Sequence, residues 1–245
     1  MMTISRLDRS VRLFNWMAVA AIAVNLWLVF FFAPTERSMG NVQRILYFHV
    51  GSAWVGSIAF FVALVCGFWY LWKPSRTVDT VALASVEIGF VFLTMATVAG
   101  SVWGKPAWNT WWTWTPRLTL ITIAWLTYAA YFMLRGAIED DDKRGRFSAV
   151  YVIIAFVTII MSYLSIRILR DIHPVVVGEA AEAAAAEGTS QFDSGMEARM
   201  GMTLGITTIV FTFLYTAWLL NRIRLQMMID EVVQLKMKVA ARLQG

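Results

Sequence analysis

The chain has 245 residues, 59% of them hydrophobic and 15% charged, with a mean hydropathy of +0.62. Water-soluble domains are about 45 to 50% apolar, so the composition excludes a soluble globular protein and indicates an integral membrane protein. The formal net charge of +5 is met by basic loops on one side of a membrane and calls for no nucleic-acid partner.

A membrane-spanning helix needs about 20 largely apolar residues. Six segments reach that length, at 13–32, 48–72, 81–103, 118–136, 147–168 and 198–220. They predict an all-α, polytopic membrane protein whose six-helix membrane domain covers residues 1–221. The first segment is long enough to span and has no small-residue cleavage site followed by a mature domain, so it reads as a retained helix and not a signal peptide. The second opens in RILYFHVGSAW, which puts His49 in its first turn and Arg44 five residues earlier. It also holds the only cysteine, Cys66, which forms no intramolecular disulfide and behaves as a small apolar residue. With one cysteine there is no CxxCH motif, so the chain attaches no c-type haem to itself. The third segment carries Glu87 in ASVEIGFVF, roughly two turns from its inner boundary. An intramembrane carboxylate is either a functional group or one that is simply partnered or protonated.

Between the third and fourth segments, WGKPAWNTWWTWTPR (residues 103–117) contains Trp103, Trp108, Trp111, Trp112 and Trp114. An aromatic belt accounts for one or two tryptophans per helix end, but not for five in one loop. Gly104, Lys105, Pro106 and Pro116 predict that the loop is not a continuous helix. Thr115 before Pro116 is a helix-start signal, with a hydroxyl able to cap and a proline at the first helical position. Arg117 closes the loop.

After the fifth segment comes a longer loop, 169–197, which begins RDIHPVVVG and includes His173. Its Ala/Glu tract, 179–188, fits a short amphipathic or mobile helix acting as lid or spacer. Beyond the last span, residues 222–245 form a predicted amphipathic helix, with Leu225, Met228, Val232, Leu235 and Val239 at helical spacing. Its apolar face suits either a docked partner or the membrane surface. There is no GxxxxGK[ST], so any coupling to ATP hydrolysis requires another subunit.

Orientation follows from the basic residues. Placing both termini in the cytoplasm puts 14 of the 21 Lys and Arg in inner segments, a two-to-one bias. The tryptophan loop, His49 and His173 then share the outer boundary, and these are the only two histidines in the chain. Haem matches this set: neutral imidazoles serve as axial ligands, aromatic faces pack on the macrocycle, and Arg44 and Arg117 are cations for propionates. Interfacial snorkelling of the arginines and structural roles for the histidines are the plainer alternatives.

WGKPAWNTWWTWTPRLT between the third and fourth of six spans, with an outer histidine in RILYFHV and another in the IHP stretch, resembles the haem exporter protein C (CcmC) family of bacterial cytochrome c maturation. The resemblance covers roughly residues 10–221. It implies that His49 and His173 are axial ligands to haem b carried as cargo. It further implies that Trp103, Trp108, Trp111, Trp112 and Trp114 form a haem platform, with Arg44 and Arg117 as the matching arginines. It also implies an inner-membrane location with the haem site on the outer face, and no enzymatic activity. The haem chaperone CcmE would be the recipient, with the ABC transporter subunits CcmA and CcmB and the small membrane protein CcmD as partners.

Three positions depart from the family pattern. Thr115 stands where the loop usually has aspartate, Gly51 follows Val50 where proline is usual, and Pro174 directly follows His173 where a glutamine usually intervenes. Other classes compatible with these residues are a CcsA-like cytochrome c assembly protein, a membrane b-type electron carrier and a small-molecule permease.

Overall fold

The computed structural model describes residues 4–37, 39–169 and 196–244. Helix α1 (Ile4–Trp27) continues into a π-helical turn, Leu28–Phe32, and a 3-10 turn, Asn41–Arg44, leads into α2 (Ile45–Trp72). Then come α3 (Arg76–Trp108), α4 (Pro116–Ala137), α5 (Asp141–Ile168) and α6 (Ala198–Gln244). Six helices among the described residues are long and apolar enough to cross a membrane. Large apolar side chains such as Phe31, Trp72 and Met133 remain exposed, as suits helices whose outer faces meet lipid.

Helix α2 is the hub, packed chiefly against α3 and also against α5 and α6, while α4 leans on α5 and α1 on α6. The centre is aromatic: Phe60 of α2 stacks on Tyr128 of α4, with centroids 3.6 Å apart, beside buried Val86, Tyr131 and Val152. Two pairs of polar groups bond across helices, where no water competes. Thr207 donates to Asn25 Oδ1 at 2.7 Å, tying α6 to α1, and the Asn221 amide donates to Asn15 Oδ1 at 2.7 Å lower down.

One end of the bundle is ionic. Arg135 forks onto both oxygens of Asp79 at 2.7 and 2.8 Å, and Arg76 onto Asp230 at 2.8 and 2.6 Å. These residues gather where α2 turns into α3, α4 turns into α5, and α6 leaves the bundle. Asp140 caps α5 there, accepting the Lys143 backbone N–H at 2.8 Å. Glu87, the intramembrane carboxylate, is partnered: Arg222 Nε and Nη2 donate to its two oxygens at 2.6 and 3.1 Å.

The last span continues into the C-terminal tail as one helix of 47 residues, about 70 Å long. One expectation changes. Helix α3 runs straight through Gly104, Lys105 and Pro106 to Trp108, so the non-helical loop is only 109–115 and not 103–117. Pro106 lies in the last turn, where it supplies no N–H to the Val102 carbonyl, and the turn ends at Asn109 in the left-handed region, φ 55°.

Candidate functional site

The opposite end of the bundle carries the loop and His49. Its imidazole Nδ1 lies 2.8 Å from the carbonyl oxygen of Ala96 on α3. A carbonyl only accepts, so Nδ1 holds the proton and the lone pair resides on Nε2, the nitrogen whose chemistry suits a metal. This back-side bond is the support that metal-binding histidines ordinarily have. Room for the ring comes from Gly100, one turn beyond Ala96: a Cβ at Gly100 would sit 2.8 Å from His49 Cε1 and 3.0 Å from Nδ1.

Another turn on, Gly104 does the same for an indole. Its missing Cβ leaves space for Trp108, whose Cε3 would be 3.3 Å away, and for the Thr110 carbonyl at 3.4 Å. Trp108 therefore folds back edge-to-face onto Trp103, with centroids 5.2 Å apart at 89°. The short loop is tied to α3 by side chains. Ser101 Oγ donates to the Trp111 carbonyl at 2.8 Å, Lys105 Nζ to the Asn109 carbonyl at 3.1 Å, and Thr110 Oγ1 to the Trp112 carbonyl at 2.9 Å. Pro116 opens α4 as expected, but the Thr115 hydroxyl makes no capping bond and is buried without a partner.

Beneath the loop, between α2, α3, α4 and α5, is a cavity of about 90 Å³. His49, Trp103, Trp108, Trp111, Trp112 and Arg117 are among its walls. Trp103 is only 4% exposed, whereas Trp111 is 58% and Trp114 73% exposed, and Trp114 does not line the cavity. Trp114 instead meets Trp112 edge-on at 6.1 Å. Arg117 donates to the Ser162 carbonyl at 3.3 Å and lies over the Tyr163 ring at 5.5 Å. The indole N–H groups of Trp103 and Trp108 and the hydroxyl of Thr113 are buried without a partner. Each such group costs about 1 to 3 kcal/mol relative to a paired one.

Arg44 stands apart. Its guanidinium donates to the Val29 carbonyl, to Asn41 Oδ1 at 3.2 Å and to Thr35 Oγ1 at 3.4 Å, and it does not line the cavity. In a π-helical turn the carbonyl of Val29 would pair five residues on, at Pro34, which has no N–H. Arg44 replaces that donor and ties the end of α1 to the start of α2. His173 and the Ala/Glu tract 179–188 lie outside the described residues. Sequence reading missed Gly100, the Ala96 carbonyl and Tyr163. The first two had a signal, since Ala96, Gly100 and Gly104 recur every four residues and so line one face of α3.

Fold and site together define a multi-pass helical membrane protein with His49 and a tryptophan-rich loop at the same end of the bundle. A model of the family "Heme exporter protein C" matches residues 2–238. The chain is 34% identical over 162 residues to heme exporter protein C of Escherichia coli strain K12, covering 64% of this chain and 66% of that protein, just under two thirds of its length. It is 26% identical over 235 residues to heme exporter protein C of Bradyrhizobium diazoefficiens, covering 95% of this chain and 85% of that one. The chain belongs to the heme exporter protein C family. A shorter likeness, 39% identity over 95 residues, reaches cytochrome c biogenesis protein CcsA of Prochlorococcus marinus, covering 39% of this chain and 30% of that protein.

Proposed function

We propose that the protein holds haem at the outer face of the cytoplasmic membrane and delivers it to the haem chaperone CcmE for cytochrome c maturation. Its further partners would be CcmA, CcmB and CcmD. The observation that supports the reading is the His49–Ala96 hydrogen bond beside a tryptophan-walled cavity, which sets the imidazole tautomer an iron ligand through Nε2 would need. His173 is the proposed second axial ligand. Trp103, Trp108, Trp111, Trp112 and Trp114 are the aromatic surface, and Arg117 is the cation facing a propionate. Arg44 takes a supporting place, since its bonds run to Val29, Thr35 and Asn41. The family match over residues 2–238 favours this reading over a CcsA-like protein, whose likeness stops at 95 residues.

The cavity is small beside the roughly 300 to 1,000 Å³ of ordinary ligand pockets. Loading a macrocycle therefore requires its wall to part, and the segment 109–115 is the part of the wall that helix hydrogen bonds do not hold. The protein's contribution is positional: it orients the cargo and shields it from water, with no acid–base chemistry of its own.

The test is the absorption spectrum of the full chain purified in mild detergent from haem-replete cells. A Soret band with low-spin features that collapses in His49→Ala supports the reading. A colourless protein, or an unchanged spectrum in His49→Ala, overturns it.

A further inference from the structure

Resting on the haem reading above, we infer that Trp103, Trp108 and Thr113 form a carboxylate subsite that seats a propionate of the porphyrin at the loop end of the cavity. The polar inventory of the walls leads there. Ser57, Thr97, Ser101, Thr110 and Ser162 all line the cavity, and each spends its hydroxyl on a backbone carbonyl. The buried polar atoms without a partner that remain among the described lining residues are the Nε1 of Trp103, the Nε1 of Trp108 and the Oγ1 of Thr113. An indole N–H only donates, and a hydroxyl can donate. No Asp or Glu lines the cavity among the described residues, and its one cationic side chain there is Arg117. A wall that offers donors and a positive charge, with no carboxylate of its own, suits an anion that only accepts.

The donors are also grouped. Trp103 and Trp108 are in edge-to-face contact at 5.2 Å, and Gly104 between them is what lets the second ring fold back. Trp103 is nine-tenths buried or more, so its N–H has no water to fall back on. An aromatic belt would give the opposite arrangement, with indole N–H groups at the wet boundary. Here the rings with buried, unpartnered N–H groups, Trp103 and Trp108, stand at the cavity; Trp111 also lines it but is 58% exposed, and Trp114 lies outside it. The whole cavity, about 90 Å³, has room for a carboxylate arm without any wall moving. The propionate edge thus engages first and fixes which edge of the macrocycle faces the loop.

The test compares two ligands on the purified full chain in detergent: iron protoporphyrin IX, and its dimethyl ester, which keeps the macrocycle and the iron but carries no carboxylate. Soret titration should give about ten- to hundredfold tighter binding of the free acid. Trp103→Phe, Trp108→Phe and Thr113→Val keep the bulk and remove the donors. Each should shrink that ratio while leaving the His49-dependent band shape intact. Equal binding of acid and ester, with the His49-dependent band present, overturns the subsite and leaves the haem reading standing. A ratio that survives in the Trp and Thr variants but vanishes in Arg117→Leu gives the recognition to the guanidinium alone and also overturns it. Binding of neither porphyrin overturns the haem reading, and the subsite with it.

Discussion

Gly100 is the residue on which the geometry of His49 turns. Any side chain there meets the imidazole at 2.8 Å, and the ring cannot retreat without losing the Ala96 carbonyl. Gly100→Ala should therefore swing His49 out of place at an overpacking cost of about 1 to 3 kcal/mol, while helix content stays unchanged. In a haem titration the variant should resemble His49→Ala; wild-type affinity and band shape would show that the seat is not needed. His49 itself was legible in the sequence because it is one of only two histidines and both flank the tryptophan loop. Its tautomer was not, because the acceptor is a main-chain oxygen 47 residues away. Arg44 shows the converse. Its position suggested a cation for the ligand; the structure adds that it serves a carbonyl at the end of α1 that a proline at position 34 leaves without an N–H.

Helix boundaries follow from competition between local signals and context. Gly104 and Pro106 are breakers in the middle of a helix, yet in the last turn of α3 they are tolerated, and Gly104 is put to use by Trp108. The stop is Asn109, whose left-handed backbone is fixed by Lys105 donating to both its carbonyl and its side-chain oxygen, at 3.1 and 3.2 Å. Asn109→Val puts a β-branched residue at positive φ and should destabilise the loop by roughly 1 to 2 kcal/mol. Asn109→Gly should be nearly neutral. Limited proteolysis of the loop in the two variants distinguishes them, and equal cleavage would mean that the backbone at 109 is not held. Glu87 belongs to this scale too. Sequence alone left it either functional or partnered, and α6 supplies the partner from 135 residues away. Since both side chains are partly exposed, at 34% and 25%, removing Arg222 should cost about 1 to 3 kcal/mol, below the figure for a fully buried pair. Arg222→Leu should lower the thermal midpoint, and Glu87→Gln combined with it should recover part of the loss; independent, additive losses would deny the coupling.

At the level of the whole molecule, the number of spans and their order could be read from hydropathy because the bilayer imposes a length of about 20 residues on every crossing. Which helices touch could not be read, since lipid-facing and helix-facing residues are equally apolar; α2 became the hub through contacts that no periodicity announced. The bundle has two chemically distinct ends. At one, Arg76, Arg135 and Asp140 join the helix turns, and at the other His49 and the loop surround the cavity. The orientation proposed above, with the cavity outside, puts the ionic end in the cytoplasm, as the bias of basic residues suggests. In a Cys66→Ser background, Trp114→Cys at the 73% exposed loop position should react in intact cells with a membrane-impermeant thiol reagent. Lys238→Cys, on the exposed extension of α6 beyond the ionic end, should react only after the membrane is opened. The paired sites make the result independent of reagent efficiency, because each is the other's control. The reverse pattern would put the cavity on the cytoplasmic side, where a donor of haem to an outer chaperone could not present it.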